Sequence, residues 1–148
     1  MTIREQIIQA IVALLAGCTL NGSAVKVTRY RVDSVQPEEI PLFNVAIDAE
    51  SATELTQNSC MRTVTLSVWA AVAAADSTDT DSIDAVADPM TAYAEQKIMA
   101  DPTLGGLTLA CNFRSAAWQN VAADLDYCGV RMVFEVMYQT ALGDPTQA

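Results

Sequence analysis

The densest run of side chains able to do chemistry in this chain is acidic: Asp76, Asp79, Asp81, Asp84 and Asp88. Carboxylates at such spacing are what a calcium loop uses, but that loop also needs a glycine at its sixth position and a glutamate at its twelfth. Counted from Asp79, those positions hold Asp84 and Met90. The series therefore reads as acids that, with Thr78, crowd the start of a helix, where they complement its dipole and cap free N–H groups. Weak adventitious cation binding is the most it would add. A second acidic pair, Glu38-Glu39, follows Pro37 in a loop. Two carboxylates can hydrolyse glycosidic bonds, but adjacent loop acids with no sugar platform nearby read as solvated charge.

Other catalytic arrangements lack essential parts. The chain has no histidine, which removes the commonest general base and metal ligand. Cys18, Cys60, Cys111 and Cys128 are widely spaced with no C-x-x-C pair, so they match neither zinc spacing nor a dense secreted disulfide framework. They read as buried reduced thiols, and a cysteine nucleophile would have no histidine partner. Gly105-Gly106 lacks the Lys and Ser/Thr of a phosphate loop, and no serine sits in a G-x-S-x-G elbow. Trp69 and Trp118 could stack on a ligand, although Trp69 on a half-buried strand face suits packing or an interface better. The expectation is a non-enzyme with no catalytic, cofactor-binding or metal residues.

Any such residues must be positioned by a chain of 148 residues, the length of one domain with a single core. The composition is 51% hydrophobic, yet 18 acids against 8 bases give a formal charge of −10. No apolar run reaches the roughly 18 uncharged residues of a membrane helix, so the expectation is a soluble acidic domain with no membrane partner. The bases are scattered apart from a small cluster at 26–31, which argues against sequence-specific nucleic-acid binding. "LLAGC" (14–18) has the look of a lipoprotein cleavage box, with Cys18 as the anchor. Against that, Ile3, Ile7, Ile11, Leu14 and Leu15 recur at helical spacing, with Thr2 as N-cap, Glu5 as its capping-box partner and Gly17 as the stop. The helix is the reading adopted.

Asn21-Gly22-Ser23 signals a turn, and 24–32 alternates as a strand. Residues 33–39 read as a loop and 40–50 as a second strand, with Pro41 near its start. The polar 51–59 reads as an exposed loop. Residues 60–72 make the clearest strand, with Val64, Leu66, Val68 and Ala70 on one side. A helical period runs through 75–100, with Pro89 either kinking it or restarting it behind Asp88 as cap. Asp101, Pro102, Thr103, Leu104, Gly105 and Gly106 form a helix-to-strand connector, in which Leu104 tucks back and the glycines supply freedom in φ. Strands follow at 107–116 and 127–140, joined by the loop 118–126. The predicted order is α-β-β-β-α-β-β: an α+β two-layer sandwich, with two helices on a mostly antiparallel sheet of about five strands. Residues 1–148 form one domain, with 141–148 as a loose tail.

Four stretches together resemble the minor tail protein U-like tail terminators of long-tailed bacteriophages: "DPTLGGL" after a helix, the closing strand ending in "YQT" (138–140), "EIPLFNVAIDAE", and "TVTLSVWA" before the second helix. Element order and length fit over nearly the whole chain. The resemblance implies a structural virion protein, located at the neck-proximal end of the tail and assembled in the host cytoplasm. It would form a homo-hexameric ring that caps the tail tube, stops its polymerisation and presents the head-tail joining surface. Partners would be the tail tube protein and a head-tail connector or completion protein. Six copies at −10 each would repel genome passing through the channel. On this reading Glu50, Glu54, Arg62, Arg114, Trp118, Arg131 and Glu135 are the candidates for subunit or tube contacts, with the loops 33–39, 51–59 and 118–126 as contact surfaces. Two alternatives stand beside it: another neck or tail-completion ring, and a small-ligand-binding α+β domain with Trp69 or Trp118 in a pocket.

Overall fold

The computed structural model describes residues 1–29, 37–73, 83–121 and 127–148. The first helix, α1 (Ile3–Leu15), starts where the Thr2 hydroxyl accepts the Glu5 amide at 3.1 Å. Ile3, Ile7, Ile8, Ile11 and Leu15 make its buried stripe. Its end differs from the predicted glycine stop. Ala16 caps it in right-handed geometry, and Gly17 matters for space instead, since a Cβ there would meet the Tyr93 hydroxyl at 3.1 Å.

The stretch predicted as one strand from 24 divides. Thr19–Leu20 (β1) and Ser23–Ala24 (β2) form a separate two-stranded sheet. Their two-residue turn has Asn21 and Gly22 both at positive φ, the geometry that follows a hairpin's twist. Lys26–Arg29 (β3) then joins the main sheet, while 30–32 lie outside the described residues. Pro37–Glu39 is a short 3-10 turn, and the Ile40–Pro41 peptide is cis.

Leu42–Thr56 (β4) and Ser59–Ala73 (β5) correct the sequence reading most sharply. The predicted loop 51–59 is the far half of a long hairpin that turns at Gln57-Asn58. Every side chain from Ser51 to Asn58 is exposed, so no alternation of polarity betrays the strand. Backbone pairing with β5 holds it, and β5 is paired along its length with Tyr127–Ala141 (β7) on its other side. At the tip, Thr56 and Ser59 hydroxyls bond at 2.7 Å.

Helix α2 (Ile83–Met99) is continuous through Pro89, so the helix does not restart there. Ala110–Val121 (β6) completes the sheet, three residues later in starting and five later in ending than predicted. The main sheet runs β3-β4-β5-β7-β6. The β3–β4 pair is parallel and the other neighbours antiparallel. This is an α+β arrangement of two helices and a mostly antiparallel five-stranded sheet, with the small β1–β2 hairpin and the parallel pair as departures from the expected order. The core lies between both helices and one sheet face. It joins Ile7, Ile11, Met90 and Ile98 to Val64, Leu66, Val68, Phe43 and the stripe Val130, Met132, Phe134, Val136 and Tyr138.

Residues 141–148, expected as a loose tail, make backbone bonds at both of their ends. Ala141 donates its amide to the Gln147 carbonyl at 2.8 Å, and the Ile3 amide is accepted by Pro145 at 3.0 Å. That last bond satisfies one of the free N–H groups that open α1.

Candidate functional site

Because side chains alternate along a strand, β5 and β7 send one set into the core and the other to a face that no described helix covers. On that open face Trp69 stands opposite Arg131, and Thr65 opposite Glu135. The Arg131 guanidinium lies 6.0 Å from the Trp69 ring centroid, a cation–π distance. It also pairs with Asp48. Asp48 sits at a β4 bulge between Ile47 and Ala49 and accepts the hydroxyl of Ser67, which is fully buried. Arg114, beside the bulge in β6, bonds Glu135 at 2.8 Å. Both central arginines are thus tied to carboxylates of their own chain.

Glu50 and Arg62 belong to the other face. Glu50 accepts bonds from Arg4 of α1 and from the Tyr138 hydroxyl, with Arg62 at 3.7 Å. Arg62 in turn donates to Thr140 at 2.9 Å. The Glu50 side chain is 14% exposed and that of Arg62 is 18%, so this network pins α1 to the sheet. Burial first, then the bond to Glu50, pushes the Tyr138 phenol well above its ordinary value.

Of the predicted contact residues, the fold brings Glu50 to Arg62 and Arg114 to Glu135, while Arg131 finds Asp48 instead. Glu54 lies apart, on the exposed end of β4. Trp118 is 51% exposed on β6. With Phe113, Ala116 and Met132 it lines a groove of about 400 Å³, rimmed by Asp88, Thr91 and Glu95 of α2. Asp48, Arg4 and Tyr138 were not among the predicted contact residues, Tyr138 having figured only in the "YQT" stretch and the apolar stripe of β7. The alternation of β7 marks Tyr138 as core, but nothing local announces that its hydroxyl meets Glu50, a residue 88 positions away.

The connector after α2 is a local structure. The Asp101 carboxylate accepts the Thr103 amide at 3.0 Å, its hydroxyl at 2.6 Å, and the Gly105 amide at 2.8 Å. The Thr103 hydroxyl leads the groups that lower the Asp101 pKa. Leu104, at φ 47°, is buried beside Ala10, Ala13 and Leu14 of α1, and Gly105 and Gly106 follow at positive φ. Pro102 supplies its carbonyl to the Thr108 hydroxyl at 2.7 Å.

No group of His, Cys, Asp or Glu able to hold a metal occurs among the described residues. Asp76, Asp79 and Asp81 lie outside them, as do 33–36 and 122–126 of the predicted contact loops. All four cysteines are buried and unpaired. Burial raises the thiols of Cys18 and Cys128 and pushes Cys111 up to about 11. Among the described residues no helix is long and apolar enough to cross a membrane.

No family model matches the chain, and no curated protein matches it. Among solved structures, it is similar to a chain of one described as "Virion of native gene transfer agent (GTA) particle", at 14% identity and a TM-score of 0.44, covering 93% of this chain and 92% of that one.

Proposed function

We propose that this chain is a structural virion protein, a ring-forming tail terminator that caps the tail tube and presents the head-tail joining surface, acting without catalysis. The observation that supports it best is the open sheet face. One face of the sheet is sealed by helices into the core, while the other is broad, largely polar and internally compensated, with Asp48 on Arg131 and Glu135 on Arg114. In a ring whose strands are inclined to its axis, such a face can line a channel. Its central arginines are already engaged, so it offers a passing polyanion little to bind. The resemblance carried by "DPTLGGL", "YQT" and "EIPLFNVAIDAE" points the same way.

The test is the mass of the purified chain by light scattering, alone and with purified tail-tube protein. A hexamer, or a ring that appears on tube ends and halts their growth, is the expected result. A persistent monomer that neither caps tubes nor limits their length overturns the proposal. A ring that binds the connector but ignores tube ends assigns the chain to another neck position. The small-ligand reading has one observation of its own, the groove beside Trp118. It predicts a saturable change in tryptophan fluorescence that Trp118→Phe abolishes.

A further inference from the structure

A sheet of five strands has two outer edges, and both long edges here are open over most of their length. β3 pairs with β4 only as far as Val45. Beyond it, no strand among the described residues pairs with that side of β4, which continues to Thr56. At the other end of the strand order, β6 has a single neighbour among the described residues, β7. The two open stretches are 46–56 and 110–121, so they are nearly equal in length.

Open edges of this length invite strand addition unless they are blunted or covered. Three of the five exposed large apolar side chains among the described residues lie on or beside them, Met1 and Leu142 lying elsewhere. Leu55 is 48% exposed on β4, Trp118 is 51% exposed on β6, and Leu109, just before β6, is 58% exposed. Their charges are also opposite. The charged residues of the β4 stretch are all acids, with Glu54 at its exposed end, while the only charged residue in β6 is Arg114, which also bonds Glu135 of its own chain.

We propose that the β6 edge of one copy adds to the β4 edge of the next, a head-to-tail contact by which the sheet continues from subunit to subunit. The occupant of each open edge is therefore a second copy of this chain, and the inference rests on the ring reading above. The direction follows from the topology. β4, β5, β7 and β6 alternate in sense, and rotation about a ring axis to which the strands are moderately inclined brings the next copy's strands alongside in those same senses. β6 therefore meets the neighbouring β4 antiparallel, and the alternation is unbroken across the joint. Such a contact uses different patches on its two sides, so it does not stop at a dimer, and it builds a ring where the rotation between copies closes. Carried across the sheet, the pairings put Arg114 level with the bulge at Asp48. Setting it against Glu54 therefore staggers the next copy by about six residues, as strands inclined to a ring axis do. Thr53 then lies opposite Ser115, and β6 clears the neighbour's β3.

The test uses single Thr53→Cys and Ser115→Cys chains, a double variant, and a short bis-maleimide, which the buried native thiols do not meet. Both substitutions lie at exposed positions, and circular dichroism checks that each chain folds. Under assembly conditions, a mixture of the two single variants gives a covalent dimer, neither gives one alone, and the double variant gives a ladder ending at the ring mass. A correctly sized ring without cross-links, or Thr53→Cys chains that link to one another, overturns the edge contact and leaves the ring standing. Absence of any ring, free or on tube ends, defeats the ring reading itself.

Discussion

At the scale of single residues, the connector acid and the buried phenol make opposite demands on pH. Asp101 has a depressed pKa because the folded chain bonds its carboxylate. Its contribution is present above the unfolded value and is lost as pH falls through the folded one. Asp101→Ala should therefore lower the melting temperature at neutral pH, and the gap from wild type should close in acid; a thermal melt series from pH 7 to pH 2 reads it. Tyr138 runs the other way. Its folded pKa is raised, so its contribution is complete below the ordinary value of 10.0 and declines as pH rises above it. Tyr138→Phe should cost about 1 kcal/mol at pH 7 and flatten the alkaline loss of stability, as urea midpoints between pH 8 and pH 12 would show. Glu50→Gln strips the carboxylate from Arg4 and Arg62 as well, and should cost more, about 2 kcal/mol, in the same urea assay.

The scale of elements shows what sequence pattern can and cannot carry. Strands β5 and β7 were legible because one of their faces is sealed in the core, which imposes a period of two on Val64 to Ala70 and on Val130 to Tyr138. Helix α1 was legible from its isoleucine stripe and its Thr2 cap. The outer half of β4 was not, since "SATELT" has both faces in solvent and is held only by its neighbour's backbone. The contact candidates show the same limit: their residue types were visible, but Arg131 meets Asp48 across 83 positions, and no local rule supplies such a pairing. Pro89 is the element-scale weak point. It lies inside α2, takes an amide out of the helix ladder and crowds the preceding turn. Pro89 is exposed, so Pro89→Ala should leave packing intact and stabilise the chain by roughly 1 to 3 kcal/mol, visible as a higher urea midpoint with an unchanged slope.

For the whole molecule, net charge and shape pull against each other. A chain at −10 repels its own copies, while its open edges favour joining them. Assembly should therefore be favoured by salt across the range in which long-range repulsion is screened, with ring mass by light scattering rising between 20 and 300 mM sodium chloride, taken as about those limits. A contact governed mainly by Glu54 and Arg114 would instead weaken over the same range. Composition made the repulsion legible. The edges became visible only with the strand order, because which strand lies outermost is a property of topology and is written in no single segment.

The bond from the Ile3 amide to the Pro145 carbonyl has a consequence for how this molecule can be watched. Residues 142 positions apart along the chain are clasped side by side, so the backbone path is nearly a closed loop. A dye near one and a quencher near the other would be dark in the folded chain and bright once the clasp opens. That pair would report the separation of the start of α1 from the segment after β7 as an optical signal, distinct from the fluorescence of either tryptophan.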